Sequence, residues 1–182
     1  ARVIERQNTD SLKWSGADSR GVIPMWVADM DFPAPDCVVE ALRARGDERG
    51  SGYPGATEEV TAAVLRWTAS HYGWRIDPDW IVWLPGLVPG IHVACRGLSA
   101  PGDEILTLVP VYPPFLSAPR MADRSIKTVC LRWETGRWKL DVDELAAAIT
   151  RQTRLLLFCN PHNPVGRAFG REELVAIAET CE

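Results

Sequence analysis

Asn160-Pro161-His162-Asn163-Pro164-Val165-Gly166 places carboxamides among prolines directly after an apolar run, Leu155 to Cys159. The run reads as a buried strand of a parallel sheet. A helix is predicted to open near Arg171-Glu172-Glu173. The loop between them would sit at the carboxyl end of a strand, where open α/β sheets bind ligands. An asparagine held by prolines can offer two N–H donors to a ligand oxygen, although Asn-Pro also makes ordinary tight turns. A second stretch, Leu84-Pro85-Gly86-Leu87-Val88-Pro89-Gly90, joins a predicted strand to a helix N-terminus. Free N–H groups and the positive dipole end there suit an anion such as a cofactor phosphate. No Lys-Ser/Thr follows, so it is not a Walker loop, and a plain strand–helix turn fits equally well. Tyr112 stands between Pro110 and Pro113-Pro114. Its ring could stack on a flat cofactor or pack in the core.

The elements that must position these residues alternate. Helical spacing runs from Val38 to Arg45, with Val38, Ala41 and Leu42 on one face. Thr57 is a predicted N-cap with Glu58 and Glu59 in the first turn, and Val60, Val64 and Trp67 recur every three to four residues. Strands are predicted at Trp80–Leu84, Glu104–Val109, Ile126–Leu131 and Leu155–Cys159. Helices are predicted at Leu87–Leu98 and Tyr112–Met121. Asp141 with Glu144 reads as a capping box, followed by a helix with Val142, Leu145, Ala146 and Ile149 inward. Turns fall at 100–103 and Glu134-Thr135-Gly136. Alternating helices and strands predict an α/β architecture with a mainly parallel sheet. The final helix, with Leu174, Ile177, Ala178 and Cys181 on one face, stops at Glu182 without a cap, which suggests the front part of a longer protein.

Composition narrows the classes. At 182 residues the chain can hold one domain with a real core. A net charge of −4 recommends neither nucleic acid nor an anionic membrane as partner. No apolar run approaches a membrane span, and the first residues, Ala1 to Arg6, lack a signal-peptide core. The five cysteines have no C-x-x-C spacing and read as reduced core residues of a cytoplasmic protein. Eight tryptophans, among them Trp14, Trp26, Trp74, Trp80 and Trp83, suggest a large buried surface or an oligomer interface.

Other patterns carry less. Gly50-Ser51-Gly52-Tyr53-Pro54-Gly55 matches G-x-G-x-x-G, but the residues before it, Arg43 to Arg49, are charged and helical in character, so the dinucleotide fingerprint lacks its strand. His71, His92 and His162 have no metal-ligand spacing, and no metal site is expected. Gly97-Leu98-Ser99 falls at a helix end, not on the strand-to-helix turn of a nucleophile elbow.

Taken in order, the loops resemble the pyridoxal 5'-phosphate (PLP) enzymes of fold type I. They are similar to the class I/II aminotransferase superfamily and most to its MalY/PatB-like cystathionine β-lyase branch. The resemblance runs from Pro24-Met25-Trp26-Val27-Ala28-Asp29-Met30-Asp31-Phe32 through Gly52-Tyr53 and Gly86 to Gly90. It continues through Val109 to Phe115 and Asn160 to Gly166. The segment at Trp26 to Phe32 points to the lyase branch. The resemblance implies a three-layer α/β sandwich, with residues 1–45 as an N-terminal arm and first helix. Residues 46–182 would be the front of the PLP-binding large domain, with its remainder and a small C-terminal domain missing.

It also implies roles. Backbone amides at Gly86, Leu87 and Val88 would hold the PLP phosphate, Tyr112 would stack on the ring, and Asn163 would donate to the ring's phenolic oxygen. Tyr53 would reach the phosphate of the neighbouring subunit of a homodimer with shared active sites. Ala28 and Asp29 would border the amino-acid substrate. No catalytic residue is assigned within the chain. The Schiff-base lysine of such enzymes follows the Asn-Pro motif, whereas the only lysines here are Lys13, Lys127 and Lys139. The implied reaction is cleavage of the Cβ–S bond of cystathionine or a similar amino acid, giving thiol, pyruvate and ammonia. Transamination is the alternative, and a non-catalytic binding or regulatory module is the reading if the chain is complete.

Overall fold

The computed structural model describes residues 3–15, 21–48, 50 and 52–182. Ser51 of the glycine-rich turn and Ala1 and Arg2 of the N-terminal stretch lie outside the described residues. The chain divides into two compact units, Ala1–Thr57 and Glu58–Glu182.

Among its described residues the first unit is mostly irregular and carries one helix, α1 (Asp36–Asp47). Pro35 precedes it and Asp36 occupies its first turn, where an acid complements the dipole. None of its side chains is buried. The predicted apolar face does exist as a stripe, but Val38 and Leu42 on it are exposed.

The second unit opens with α2 (Glu58–Tyr72) and α3 (Leu87–Gly97). It continues with β1 (Glu104–Val109), α4 (Pro114–Met121), β2 (Ser125–Cys130), β3 (Arg132–Glu134) and β4 (Arg137–Lys139). It ends with α5 (Val142–Ala148), β5 (Thr153–Leu157) and α6 (Arg171–Thr180). The main sheet has the order β2-β1-β5, all parallel. β1 lies between two neighbours and its middle residues Ile105, Leu106, Thr107 and Leu108 are withdrawn from water. Alternation across β1 splits the core in two. Ile105 joins Ile91, Cys95, Val111, Phe115, Ala118 and Leu157 on one face. Leu106 and Leu108 join Val129, Leu131, Leu145, Phe169 and Ile177 on the other. Helices α3 and α4 thus serve one layer and α5 and α6 the other.

Several expectations change. Trp80–Leu84 is not a strand: a 3₁₀ turn spans Pro78–Trp80, capped by the Asp77 carboxylate on the Asp79 N–H at 2.9 Å. Residues 81–84 run on without a ladder partner among the described residues. Strand identity needs a neighbour, and an apolar run alone does not supply one. The predicted buried strand at Leu155–Cys159 is β5, two residues earlier and only partly buried, because it is an edge strand among the described residues. The hairpin β3–β4 was not expected; Thr135 and Gly136, both at positive φ, form its tight turn. Asp141 caps α5 through the N–H groups of Asp143 and Glu144. Glu144 does not complete a capping box, because its carboxylate pairs with Arg132 instead. Ala146 points to solvent, as do Ala178 and Cys181 of the last helical stretch. Of the five cysteines, all free, Cys95 alone is buried; Cys37, Cys130 and Cys181 are exposed. The tryptophans are not a buried store either: Trp26, Trp74, Trp80 and Trp83 are all exposed.

Candidate active site

Parallel strands end on the same edge, so the loops after β1 and β5 are neighbours. Thr107 Oγ1 donates to the Leu157 carbonyl at 2.9 Å at the buried last pair of this ladder. The chain leaves β1 through a cis Val109–Pro110 bond, buries Val111 and presents Tyr112, 41% exposed, before α4 begins. Phe115 and Leu116 N–H groups close onto the Tyr112 and Pro113 carbonyls, which fixes the entry to α4.

After β5 the chain makes the loop 158–170. Asn160 Oδ1 accepts from the Phe169 N–H at 3.0 Å, so this carboxamide holds the loop's return. The His162 N–H donates to the Arg167 carbonyl and the Gly166 N–H to the His162 carbonyl at 2.8 Å. Gly166 sits at φ +69°, the left-handed region that favours glycine. Asn163 stands at the tip, exposed, with its carboxamide bonded to no described residue. The two asparagines of the motif therefore divide the work: Asn160 is structural and Asn163 is available.

Helix α3 packs through Ile91 and Cys95 into the core cluster of Ile105, Val111 and Phe115. Arg124, just before β2, donates through Nε to Ser99 Oγ at 3.0 Å and through its terminal nitrogens to the Ser99 and Arg96 carbonyls. The C-terminal end of α3 is thereby tied beside the starts of the strands. An eleven-residue helix rises about 16 Å, which carries α3 from that tie back to Gly86. Gly86 caps it at φ +146° and ψ 165°, a conformation open essentially to glycine. No side chain caps this end and no acid lies in its first turn. The Leu87 and Val88 N–H groups have no acceptor within the helix, and Pro89 brings no N–H. A Cβ at Gly90 would meet Leu84 Cδ1 at 2.8 Å, so a larger residue there would push the exposed Leu84 side chain aside. Gly86, Leu87 and Val88 thus open α3, Tyr112 follows β1 and Asn163 follows the neighbouring β5, all within one unit.

Ala28, Asp29 and Tyr53 lie in the first unit. Tyr53 is fully exposed. Ala28 is exposed and Asp29 partly so. A charge network holds this loop. Arg6 Nη1 lies 2.8 and 2.9 Å from the two Asp29 oxygens, and Nη2 donates to the Met30 carbonyl. Lys13, 6% exposed, donates to the Asp29 carbonyl and to both Asp31 oxygens, each at 2.9 Å. The Lys13 hydrogen bond holds the Asp31 carboxyl below the usual carboxylate range, against the cost of desolvation. The sequence reading missed Arg6, Lys13 and Asp31 as positioning groups, because their partners lie 16 to 25 residues away.

All three lysines are ion-paired: Lys13 with Asp31, Lys127 with Glu104 at 3.5 Å and Lys139 with Glu134 at 3.3 Å. Among the described residues no cluster of His, Cys, Asp and Glu could hold a metal ion. No described helix is long and apolar enough to cross a membrane.

Comparison with known proteins places this geometry in context. The family model described as aminotransferase class I and II matches residues 20–182. The cystathionine β-lyase PatB of Bacillus subtilis is 35% identical over 97% of this chain and 47% of its own length. The crystal structure of OvoB matches with a TM-score of 0.89 and 39% identity over 97% of this chain and 46% of that one. Cystalysin from Treponema denticola, whose crystal structure contains PLP, matches with a TM-score of 0.90 and 35% identity, covering 99% of this chain and 48% of its own. The chain spans about half the length of the curated relatives it matches.

Proposed function

The chain belongs to the class I and II aminotransferase family, and from that premise we propose that the native protein containing it is a PLP-dependent C–S lyase. It would cleave the Cβ–S bond of cystathionine or a related amino acid to thiol, pyruvate and ammonia. The observation that carries this is three groups open to a ligand within one unit: an uncapped helix N-terminus, the half-exposed ring of Tyr112 after β1 and the exposed carboxamide of Asn163 after the neighbouring β5. This set fits PLP: two free backbone donors for a phosphate, a flat ring for a flat ring and an amide donor for a phenolic oxygen. When bound, the cofactor supplies an electron sink for charge developing on the substrate's α-carbon.

In this proposal the Leu87 and Val88 N–H groups, with Gly86 opening the backbone, bind the phosphate. Tyr112 covers one face of the ring and excludes water from it. Asn163 donates to the phenolic oxygen and holds negative charge there. Asp29 is committed to Arg6, so the loop at Ala28 and Asp29 meets substrate with its backbone and not with a free carboxylate. Tyr53 extends to the phosphate bound by a neighbouring subunit of a homodimer. The uncovered Trp26, Trp74, Trp80 and Trp83 support a large contact with further polypeptide. The cofactor-linking lysine, which also takes the substrate's α-proton, would come from outside these 182 residues, since each lysine here is paired elsewhere. Five free cysteines are compatible with a cytoplasmic setting.

The lyase assignment over transamination draws on PatB, which is named a cystathionine β-lyase. The test is product analysis on the purified native protein with cystathionine. Thiol and pyruvate release supports the lyase. Keto acid formed only with an amino-acceptor co-substrate, without thiol, would replace it with the aminotransferase. Failure to retain PLP at all would leave the non-catalytic module.

A further inference from the structure

His162 is 1% exposed and lies between Pro161 and Asn163. Its Nε2 is 2.8 Å from the Pro110 carbonyl oxygen, 52 residues away, and its Nδ1 is 3.1 Å from the Cys159 carbonyl oxygen. The β1–β5 ladder ends at Thr107 and Leu157. Beyond it, among the described residues, the His162–Pro110 contact is the one hydrogen bond joining the loop before Tyr112 to the loop carrying Asn163. The ring is braced from behind: Phe169 meets it edge to face at 6.2 Å, and Arg167 covers Phe169 at 4.3 Å. The backbone of His162 is fixed as well, through Arg167 and Gly166. Both ring nitrogens face carbonyl oxygens, so an N–H on the ring is spent on backbone and no lone pair is directed to a metal or a substrate.

The geometry points to His162 as a positioning residue that fixes the Tyr112 loop against the Asn163 loop through an Nε2–H donated to Pro110. That these are cofactor loops rests on the function proposed above; the tie itself does not. Pro110 is two residues from Tyr112, and His162 is adjacent to Asn163. One buried bond therefore sets the spacing of the two side chains offered to the ring and its phenolic oxygen.

The test compares His162→Phe, His162→Asn and His162→Gln in the native protein. Gln places an amide nitrogen near the position of Nε2, Asn reaches only that of Nδ1, and Phe keeps the ring without a donor. Without cofactor, Phe and Asn should speed amide hydrogen exchange at residues 110–117, and Gln should restore protection. With cofactor, Phe and Asn should raise the PLP dissociation constant about tenfold and shift its visible absorbance, while Gln stays near wild type. Should the Phe variant fail to fold, the Gln and Asn pair still decides. Unchanged exchange and affinity in Asn, or Gln as impaired as Asn, would overturn the tie. A wild type that binds no PLP would defeat the functional reading, and the exchange comparison would still judge the tie by itself.

Discussion

In the unit Glu58–Glu182 the candidate cofactor loops spring from strands sunk in apolar side chains; Ile105, Leu106, Leu108 and Leu145 are at most 1% exposed. In the unit Ala1–Thr57 the loop at Ala28 and Asp29 is held by Arg6, Lys13 and Asp31, and α1 buries nothing. Ile23, Met25, Trp26 and Met30 around that loop stay exposed. The loops after β1 and β5 are thus fixed by burial of the strands they leave, which pH and salt touch little. The loop at Ala28 and Asp29 is fixed by charge, which acid and salt both weaken.

The comparison can be broken most forcefully from the core. Leu106→Ala removes a fully buried side chain beside the β1–β5 ladder. A loss of about 2–5 kcal/mol is expected, read as a lower urea midpoint for the native protein. A loss well under that range would mean the sheet does not anchor the loops. Lys13→Met keeps the buried stem and deletes the charge. It should leave the urea midpoint nearly unchanged and raise hydrogen exchange and protease sensitivity around residues 27–31. A global loss of stability would erase the distinction between the units. The mildest probe is pH. Asp31 has a depressed pKa in the folded protein, so its contribution is present above the unfolded value, about 4, and fades as pH falls through the lower folded value. Exchange at residues 27–31 should therefore rise only in acid below about pH 4, while the strand amides of β1 stay protected. Loosening near neutral pH would assign the loop to another group.

Much of this was legible from residues alone. β1, β2 and β5 announce themselves as apolar runs between turn residues, and Asp141 announces a helix start. Tyr112 and Asn163 stand out because each follows a strand and precedes a helix, and Gly86 because it precedes a helix; the roles given to them are proposals. The hairpin β3–β4 escaped because its strands are three residues long and charged at their outer ends. Its signals were Thr135-Gly136 and the facing pair Trp133 and Trp138, edge to face at 5.7 Å. Trp80–Leu84 misled because a strand is a relation between segments, and its partner is absent from the described residues. The Arg6 and Lys13 network and the His162 tie join residues far apart in sequence, and only the folded chain brings them together. His162 was set aside for lacking metal-ligand spacing, which asks nothing about a backbone acceptor 52 residues away.

The central claim is that the ends of β1 and β5 with the start of α3 hold PLP. It is met most directly by titrating the native protein and its Asn163→Ala variant with PLP while following visible absorbance. The account predicts saturable binding by the wild type, and in the variant a dissociation constant raised about tenfold with a shifted absorbance band. Identical affinity and spectrum in the two proteins, or no binding by the wild type, would contradict it.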